Sequence, residues 1–161
     1  MVRDLFNQNI VKSEWLHPTE FPSMKGRKVV AIDLETCDTQ LKTMGPGWPR
    51  KIGSVIGIAI SSGDFTAYYP IAHEGGGNMD KTKTLKYVKS ICEDDSIQKV
   101  FHNAQYDVGW LSTLNIEVKG YLHDTMIASA LLKPKCIKCT HHLWANMLKQ
   151  TLVSPINCTN V

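Results

Sequence analysis

The sequence has 161 residues, of which 43% are apolar, 20% charged and 8% aromatic, a composition typical of one soluble globular domain. No segment approaches the roughly 18 consecutive apolar residues that a membrane-spanning helix needs. The start of the chain lacks the charge and apolar profile of a secretory signal. These features argue against a membrane protein or a secreted one, and they predict a soluble protein of the cytoplasm.

Charge is distributed unevenly along the chain. Residues 1–124 contain all 15 acidic residues and 14 of the 18 basic ones, whereas residues 125–161 contain four lysines and no acid. The net charge of +3 therefore originates in the tail and gives only weak support for a nucleic-acid surface. The five cysteines are irregularly spaced in a chain without an export signal, so we expect free thiols in a reducing compartment.

The first half of the chain predicts a polar leader followed by strands. Residues 1–27 are irregular, and we interpret them as a leader that packs on the domain. The apolar, β-branched run at residues 28–34 predicts a buried strand. After a loop rich in Gly and Pro, residues 52–61 and 65–70 predict two strands joined by a turn at residues 62–64. Three successive strands predict an antiparallel meander.

Helices alternate with short strands in the second half. Asp80 is predicted to cap one helix, and Asp124 is predicted to cap a last, apolar helix over residues 126–132. Between them, residues 99–102 predict a strand and residues 104–114 a helix. This order of elements favours an α/β fold with a mixed sheet.

Two carboxylates, Asp33 and Glu35, lie two positions apart at the end of the first predicted strand. Side chains at this spacing project from the same face of a strand, where like charges raise each other's pKa. A divalent cation such as Mg²⁺ or Mn²⁺ would neutralise them, because both ions prefer oxygen ligands. The alternative is a solvated strand end followed by a turn at residues 36–38.

A second group of polar residues lies where the strand at 99–102 leads into a helix. Asn103 and Asp107 are separated by four positions, which places them on one face of a helix. An amide and a carboxylate at the end of a strand can point together into a site. Alternatively, Asn103 caps the helix and Asp107 is an acid that complements the helix dipole.

The ordered combination of these motifs resembles a known family of nucleases. Residues 29–36 resemble the first motif of the DEDD (DnaQ-like) 3'-5' exonucleases, residues 102–107 resemble the second, and residues 123–128 are similar to the stretch that follows it. Residues 45–48 and 73–78 further resemble the proofreading exonuclease domain of phage-type family A DNA polymerases.

The resemblance implies an RNase H-like α/β fold with a mixed five-stranded sheet flanked by helices and an incomplete C-terminal part. It divides the chain into the leader, an exonuclease domain over residues 28–133 and an atypical tail over residues 134–161. The implied function is hydrolysis of terminal phosphodiesters at the 3' end of single-stranded DNA. A DNA polymerase domain, fused or separate, is the implied partner, in the host cytoplasm if the protein is phage-encoded.

The resemblance also implies roles for individual residues. Asp33, Glu35 and Asp107 would be catalytic and would bind two Mg²⁺ or Mn²⁺ ions. In this scheme Asp33 bridges both ions, Glu35 binds one and orients the attacking water, and Asp107 binds the other. The residues expected to contact the terminal nucleotide are Leu34, Thr36 and Asn103.

The third motif of the family is missing from the tail. In the family this motif is Tyr-x-x-x-Asp or His-x-x-x-x-Asp, but the sequence has no acid after Asp124. The nearest match, residues 141–146, starts with a histidine but has Asn146 in place of the aspartate. One explanation is a truncated or frame-altered polymerase, which the change in composition after Lys133 favours. The other is a stand-alone domain whose catalysis is impaired and which now mainly binds nucleic acid.

The tail also suggests a different class of function, a small zinc module. Cys136, Cys139 and His141 are residue types that bind zinc, and Cys158 could complete the set. Structural zinc sites usually place their second pair of ligands about a dozen residues away. The close spacing of His141 to Cys139 therefore favours the nuclease hypothesis, and metal analysis of the purified protein would separate the two.

Overall fold

The structure is a computed structural model that describes residues 18–132. Most of the predicted leader, the residues nearest to a third motif and the proposed zinc ligands Cys136, Cys139 and His141 lie outside the described residues. Within the described part, five strands form one mixed sheet with helices around it. The predicted α/β architecture is therefore confirmed.

The sheet has the order β3-β2-β1-β4-β5. β1 pairs with β2 and β2 with β3 in antiparallel fashion, whereas β4 is parallel to both β1 and β5. The meander predicted for the first three strands is thus confirmed. The strands are β1 (Val29–Cys37), β2 (Ser54–Ser62), β3 (Phe65–Pro70), β4 (Gln98–Phe101) and β5 (Leu122–Asp124).

In the part of the chain that the structure describes, four α-helices and one 3-10 turn lie between or after the strands. They are α1 (Leu41–Met44), the 3-10 turn Trp48–Arg50, α2 (Lys81–Cys92), α3 (Ala104–Thr113) and α4 (Thr125–Leu132). The Gly- and Pro-rich segment predicted as a loop therefore borders two short helical turns. No helix among residues 18–132 has the length and apolar character needed to span a membrane.

Strand β1 ends three residues later than the sequence predicted. It continues past Leu34 to Cys37 because a bulge between Glu35 and Thr36 shifts the register and lets the pairing with β2 resume. The alternative in which a turn begins at Thr36 is wrong. Asp33 and Glu35 therefore lie inside a paired strand in the centre of the sheet.

One face of β1 lies in the hydrophobic core. Val30, Ile32 and Leu34 alternate along the strand and are at most 7% exposed. They belong to one continuous cluster with apolar residues of α2, among them Val88 and Ile91. Burial of each such side chain is worth about 1.5–3 kcal/mol. This packing fixes the strand, and with it the positions of the residues on the opposite face.

Helix α2 begins as predicted. The Asp80 side chain accepts a hydrogen bond from the backbone N–H of Lys83 at 2.9 Å, which satisfies one of the free donors in the first turn. Thr84, Val88 and Ile91 are buried on one side of the helix. The prediction of a capped amphipathic helix is confirmed.

Helix α3 begins differently from either sequence hypothesis. Asn103 precedes the helix in a left-handed conformation (φ 67°, ψ 56°) and makes no capping bond with its side chain. The Asp124 carboxylate instead accepts hydrogen bonds from the backbone N–H groups of Asn103 (3.1 Å) and Ala104 (2.8 Å). It also accepts from the N–H of Met126 (2.9 Å), so one side chain caps both α3 and α4.

Candidate active site

Asp33 and Glu35 lie on the face of β1 opposite the core. Asp33 is paired with Ala59 of β2, and Glu35 with Gly57. Paired residues on neighbouring strands project from the same face of a sheet. Ala59 and Gly57 have little or no side chain, and the Tyr68 hydroxyl from β3 fills the position that a side chain at residue 57 would take.

Asp107 joins this pair from the first turn of α3. It is only 3% exposed, and its Oδ1 accepts a hydrogen bond from the backbone N–H of Leu34 at 3.0 Å. That N–H is available because β1 pairs with β4 only over residues 29–31. The contact brings Asp107 to the point on β1 between Asp33 and Glu35, so the structure brings all three predicted carboxylates together.

The three carboxylates lie close to one another, Asp107 buried and the other two half-buried, and their pKa values reflect this. Burial and the charge of Glu35 raise the pKa of Asp33 to about 6. Burial and the charge of Asp33 raise the pKa of Asp107 to about 8. Burial also raises the pKa of Glu35, although the nearby His73 opposes this rise. The site therefore concentrates negative charge.

Within residues 18–132, none of these carboxylates forms an ion pair with a lysine or an arginine. Among the same residues, no three His, Cys, Asp or Glu side chains are arranged as a preformed site that could hold a metal ion. Mg²⁺ is usually held by one or two carboxylates, with water and substrate phosphate completing its coordination. An open group of carboxylate oxygens therefore fits Mg²⁺ or Mn²⁺ as ligand chemistry.

The predicted nucleotide-binding residues differ in which of their atoms face the three carboxylates. Leu34 and Thr36 flank Glu35 on β1, but the side chain of Leu34 points into the core and only its backbone faces the carboxylates. Asn103 lies at the junction of β4 and α3, outside the helix. The left-handed conformation of Asn103 does not continue the helical geometry of α3. The prediction that Asn103 and Asp107 share one helical face is therefore wrong.

Tyr106 combines a packing contact with hydrogen bonds to the end of β1. Its ring packs edge-on against Trp110, with centroids 6.3 Å apart. Its hydroxyl is hydrogen bonded to the Thr36 hydroxyl at 2.7 Å and donates to Asp38 Oδ2 at 3.3 Å. These bonds tie α3 to the end of β1 next to Glu35, so Tyr106 holds the two halves of the site in place.

Two residues near Glu35 were not identified by the sequence reasoning. The Tyr68 hydroxyl and Nε2 of His73 are hydrogen bonded at 2.5 Å on the same side of the sheet as Glu35. The signal that could have identified Tyr68 is the two-residue periodicity of β3, which places it on the face shared with Ala59 and Gly57.

Comparison with known proteins assigns the family. The sequence model of the DNA polymerase A type, described as 3'-5' exonuclease, matches residues 19–157. This chain belongs to the 3'-5' exonuclease family. The resemblance inferred from the motifs is thus confirmed, and the match to the exonuclease family extends into the tail that lacks the third motif.

Two similar sequences are DNA polymerases. A DNA-directed DNA polymerase of Pseudomonas phage M6 is 38% identical over 128 residues, which are 76% of this chain and 19% of the polymerase. DNA polymerase I of Pseudomonas aeruginosa is 28% identical over 111 residues, which are 66% of this chain and 12% of that protein. The exonuclease chain therefore spans about a fifth or less of the length of these relatives.

Similar solved structures confirm the RNase H-like fold. NrnC of Brucella melitensis superposes with a TM-score of 0.56 at 22% identity, covering 83% of this chain and 60% of that one. A structure of the same protein with bound Mg²⁺ gives a TM-score of 0.53 at 22% identity, with the same two coverages. At this level of identity the likeness concerns the fold alone.

Proposed function

We propose that this domain is a divalent-metal-dependent 3'-5' exonuclease of the proofreading type, acting on the 3' end of single-stranded DNA. The observation that carries the proposal is the group of three carboxylates, the buried Asp107 and the half-buried Asp33 and Glu35, which has no lysine or arginine partner among the described residues. Such a group needs a cation to be stable when ionised. The family to which the chain belongs supplies the reaction.

Asp33, Glu35 and Asp107 would hold two Mg²⁺ or Mn²⁺ ions. When bound, such ions lower the pKa of a water molecule and stabilise the oxygen that leaves. The charge of Asp33 raises the pKa of Asp107, and the charge of Glu35 raises the pKa of Asp33, so Asp33 interacts with both other carboxylates. This coupling favours Asp33 as the residue that would serve both ions.

The reaction is hydrolysis of the terminal phosphodiester. Glu35 accepts a proton from water, the water oxygen forms a bond to phosphorus, and the bond between phosphorus and the 3'-oxygen breaks. The 3'-oxygen takes up a proton, which leaves a shortened strand and a free nucleotide 5'-monophosphate. Leu34, Thr36 and Asn103 would hold the terminal nucleotide, with the Thr36 hydroxyl fixed by Tyr106.

We further propose that the exonuclease domain covers residues 28–133 and works in the cytoplasm beside a polymerase region, fused or separate. Support comes from the relatives, which are DNA polymerases several times longer than this chain. The tail over residues 134–161 lacks the third motif of the family, although the family match continues to residue 157.

A second candidate function is a nucleic-acid-binding domain with impaired catalysis. The observation that favours it is the absence of any acid after Asp124, which leaves the fourth carboxylate of the family without a counterpart. A site with fewer charged ligands binds Mg²⁺ more weakly. This candidate predicts salt-sensitive binding of single strands without turnover.

The experiment that separates these functions is degradation of a 5'-labelled single-stranded oligonucleotide with Mg²⁺, with Mn²⁺ and with EDTA. We expect a ladder of 3'-shortened products that requires metal and is lost in Asp33→Ala. Asp64→Ala is the matched control, because it removes an exposed carboxylate at the β2–β3 turn that pairs with Arg27.

Each result has a definite meaning. Equal degradation by the wild type and Asp33→Ala would identify the activity as contamination. Folded wild-type protein that retains salt-sensitive binding but gives no ladder with either metal would overturn the exonuclease proposal in favour of the binding domain.

A further inference from the structure

A tyrosine and a histidine lie on the same side of the sheet as Glu35, and no role has been assigned to either of them above. We propose that Tyr68 and His73 are positioning residues for Glu35: Tyr68 fixes the imidazole of His73, and the imidazole holds the Glu35 carboxylate in its working orientation. The inference rests on the proposed function, in which Glu35 accepts the proton of the attacking water.

The position of Tyr68 is set by the sheet. It is paired with Ala59, which is itself paired with Asp33, so Tyr68 lies two strands away on the carboxylate face. Its side chain leans over Gly57, where a Cβ atom would lie only 1.8 Å from the Tyr68 hydroxyl. Glycine at 57 is therefore required for the ring to lie across β2 towards Glu35.

His73 is held in place from two sides. Its Nε2 is hydrogen bonded to the Tyr68 hydroxyl at 2.5 Å, and the two rings make an edge contact with centroids 5.8 Å apart. Its backbone N–H donates to Asn78 Oδ1 at 2.7 Å, and its carbonyl accepts from Asn78 Nδ2 at 2.8 Å. The second pair of bonds closes the loop after β3 and fixes the imidazole relative to the sheet.

Glu35 lies next to this pair through its register with Gly57. Directly opposed residues of antiparallel strands have Cβ positions roughly 5 Å apart. The Tyr68 hydroxyl occupies the Cβ position of residue 57, so it lies beside the base of the Glu35 side chain. Nε2 of His73 is hydrogen bonded to that hydroxyl at 2.5 Å, which brings the imidazole to the same side of Glu35. Its charge lowers the pKa of the Glu35 carboxyl against the effect of burial.

A carboxylate that must take a proton from a water molecule needs a fixed direction. Glutamate has three side-chain torsions, and its orientation costs entropy unless neighbouring groups restrict it. Residues that orient a catalytic or metal-binding carboxylate typically contribute about tenfold to a hundredfold. His73, held by Tyr68 and Asn78, is placed to give this restriction on the side of Glu35 that faces β3.

The test compares Tyr68→Phe, His73→Gln and their double variant with the wild type in the oligonucleotide assay. Tyr87→Phe is the matched control, because its hydroxyl binds the Pro22 carbonyl, remote from the site. We expect kcat to fall about tenfold to a hundredfold in His73→Gln and less in Tyr68→Phe, with KM and Tm unchanged. The double variant should be no slower than His73→Gln, because the two residues act as one unit.

A structural role alone would lower Tm, change KM or give additive losses, and any of these results would overturn the inference. Wild-type kcat in folded His73→Gln would also overturn it. A further measurement does not depend on activity: the NMR signals of the His73 ring should shift in Glu35→Gln and stay constant in Asp64→Asn. An inactive wild type would refute the proposed function, whereas unchanged ring signals in Glu35→Gln would refute the contact inferred here.

Discussion

The two faces of strand β1 carry residues of opposite character. One face presents Val30, Ile32 and Leu34 to the core, each at most 7% exposed. The other presents Asp33 and Glu35, whose pKa values burial raises, with the charge of Glu35 adding to the rise at Asp33. Adjacent residues of one strand thus have opposite effects on folding, because the side chains of a strand alternate between faces.

This difference shows how the fold supports a costly site. The apolar face stabilises the strand, and the strand in turn holds carboxylates whose burial raises their pKa and lowers the stability of the metal-free protein. A shift of one residue in the pairing with β2 would exchange the two faces. The bulge between Glu35 and Thr36 lies just beyond the pair of carboxylates, so the register that fixes them is undisturbed.

Removing one negative charge from the site while keeping the shape of the side chain should have the largest effect on the exonuclease rate. Asp107→Asn retains an oxygen that can accept from the Leu34 N–H, but it removes one of the three charges. We expect at least a roughly hundredfold loss of exonuclease rate, since electrostatic groups at a reacting centre contribute about this much. Initial rates with saturating Mg²⁺ measure it, and a rate near that of the wild type would show that Asp107 is not a ligand.

Substitutions on the core face of β1 should change the stability of the folded protein. Ile32→Ala is expected to lower the free energy of unfolding by about 4 kcal/mol, because Ile32 is 1% exposed and its removal leaves a cavity. Urea denaturation in EDTA measures this change. Asp33→Asn, one residue along the strand, is the control and should leave stability unchanged or raise it. A similar loss in both variants would contradict the division between the two faces.

The carboxylate face should also give the metal-free protein an unusual pH dependence. The pKa of Asp33 is raised from 3.8 to about 6 and that of Asp107 from 3.8 to about 8. Between about pH 4 and pH 8 the folded state therefore binds more protons than the unfolded state. Stability should therefore fall as pH rises from about 4 to 8, by on the order of 3 kcal/mol for Asp33 alone.

Denaturation in EDTA across that pH range tests this expectation. Asp33→Asn should flatten the curve most between pH 4 and 6, and Asp107→Asn should flatten it up to pH 8. Added Mn²⁺ should reduce the fall, because it binds only the ionised carboxylates. A stability that rises with pH in EDTA would contradict the assignment.

A site outside both faces should give the smallest effect. Asp80→Ala removes the bond to the Lys83 N–H at the start of α2, and we expect a loss of about 1 kcal/mol with no change in exonuclease rate. Asp80→Asn, which can still accept that bond, should retain most of the stability. A marked loss of rate in either variant would show that α2 is coupled to the carboxylates.

Elements with local signals were predicted well. The strand at β3 begins and ends at the predicted residues, and the cap of α2 at Asp80 is confirmed. Asp33 and Glu35 could be placed on one face because the period of a strand is two. The end of β1 was missed, since the bulge that prolongs it depends on the partner strand and leaves no mark in the residues themselves.

Features that join distant segments were not predictable in the same way. Lys99 was read as part of an ordinary strand, yet its side chain is fully buried, where its ammonium donates to the carbonyls of Asp94 and Lys119. Asp124 was expected to cap one helix and caps two. In both examples the partners lie on other elements, so only their arrangement in space determines the role.

By itself, the sequence determined the element order, the mixed sheet, the three carboxylates and the family, because each depends on periodicity, capping or a short ordered motif. The tertiary structure alone decided that Asp107 meets β1 at the Leu34 N–H and that Tyr68 crosses Gly57 towards Glu35. These contacts join residues that are far apart in the chain, and their geometry depends on strand register and helix packing, which no local pattern specifies.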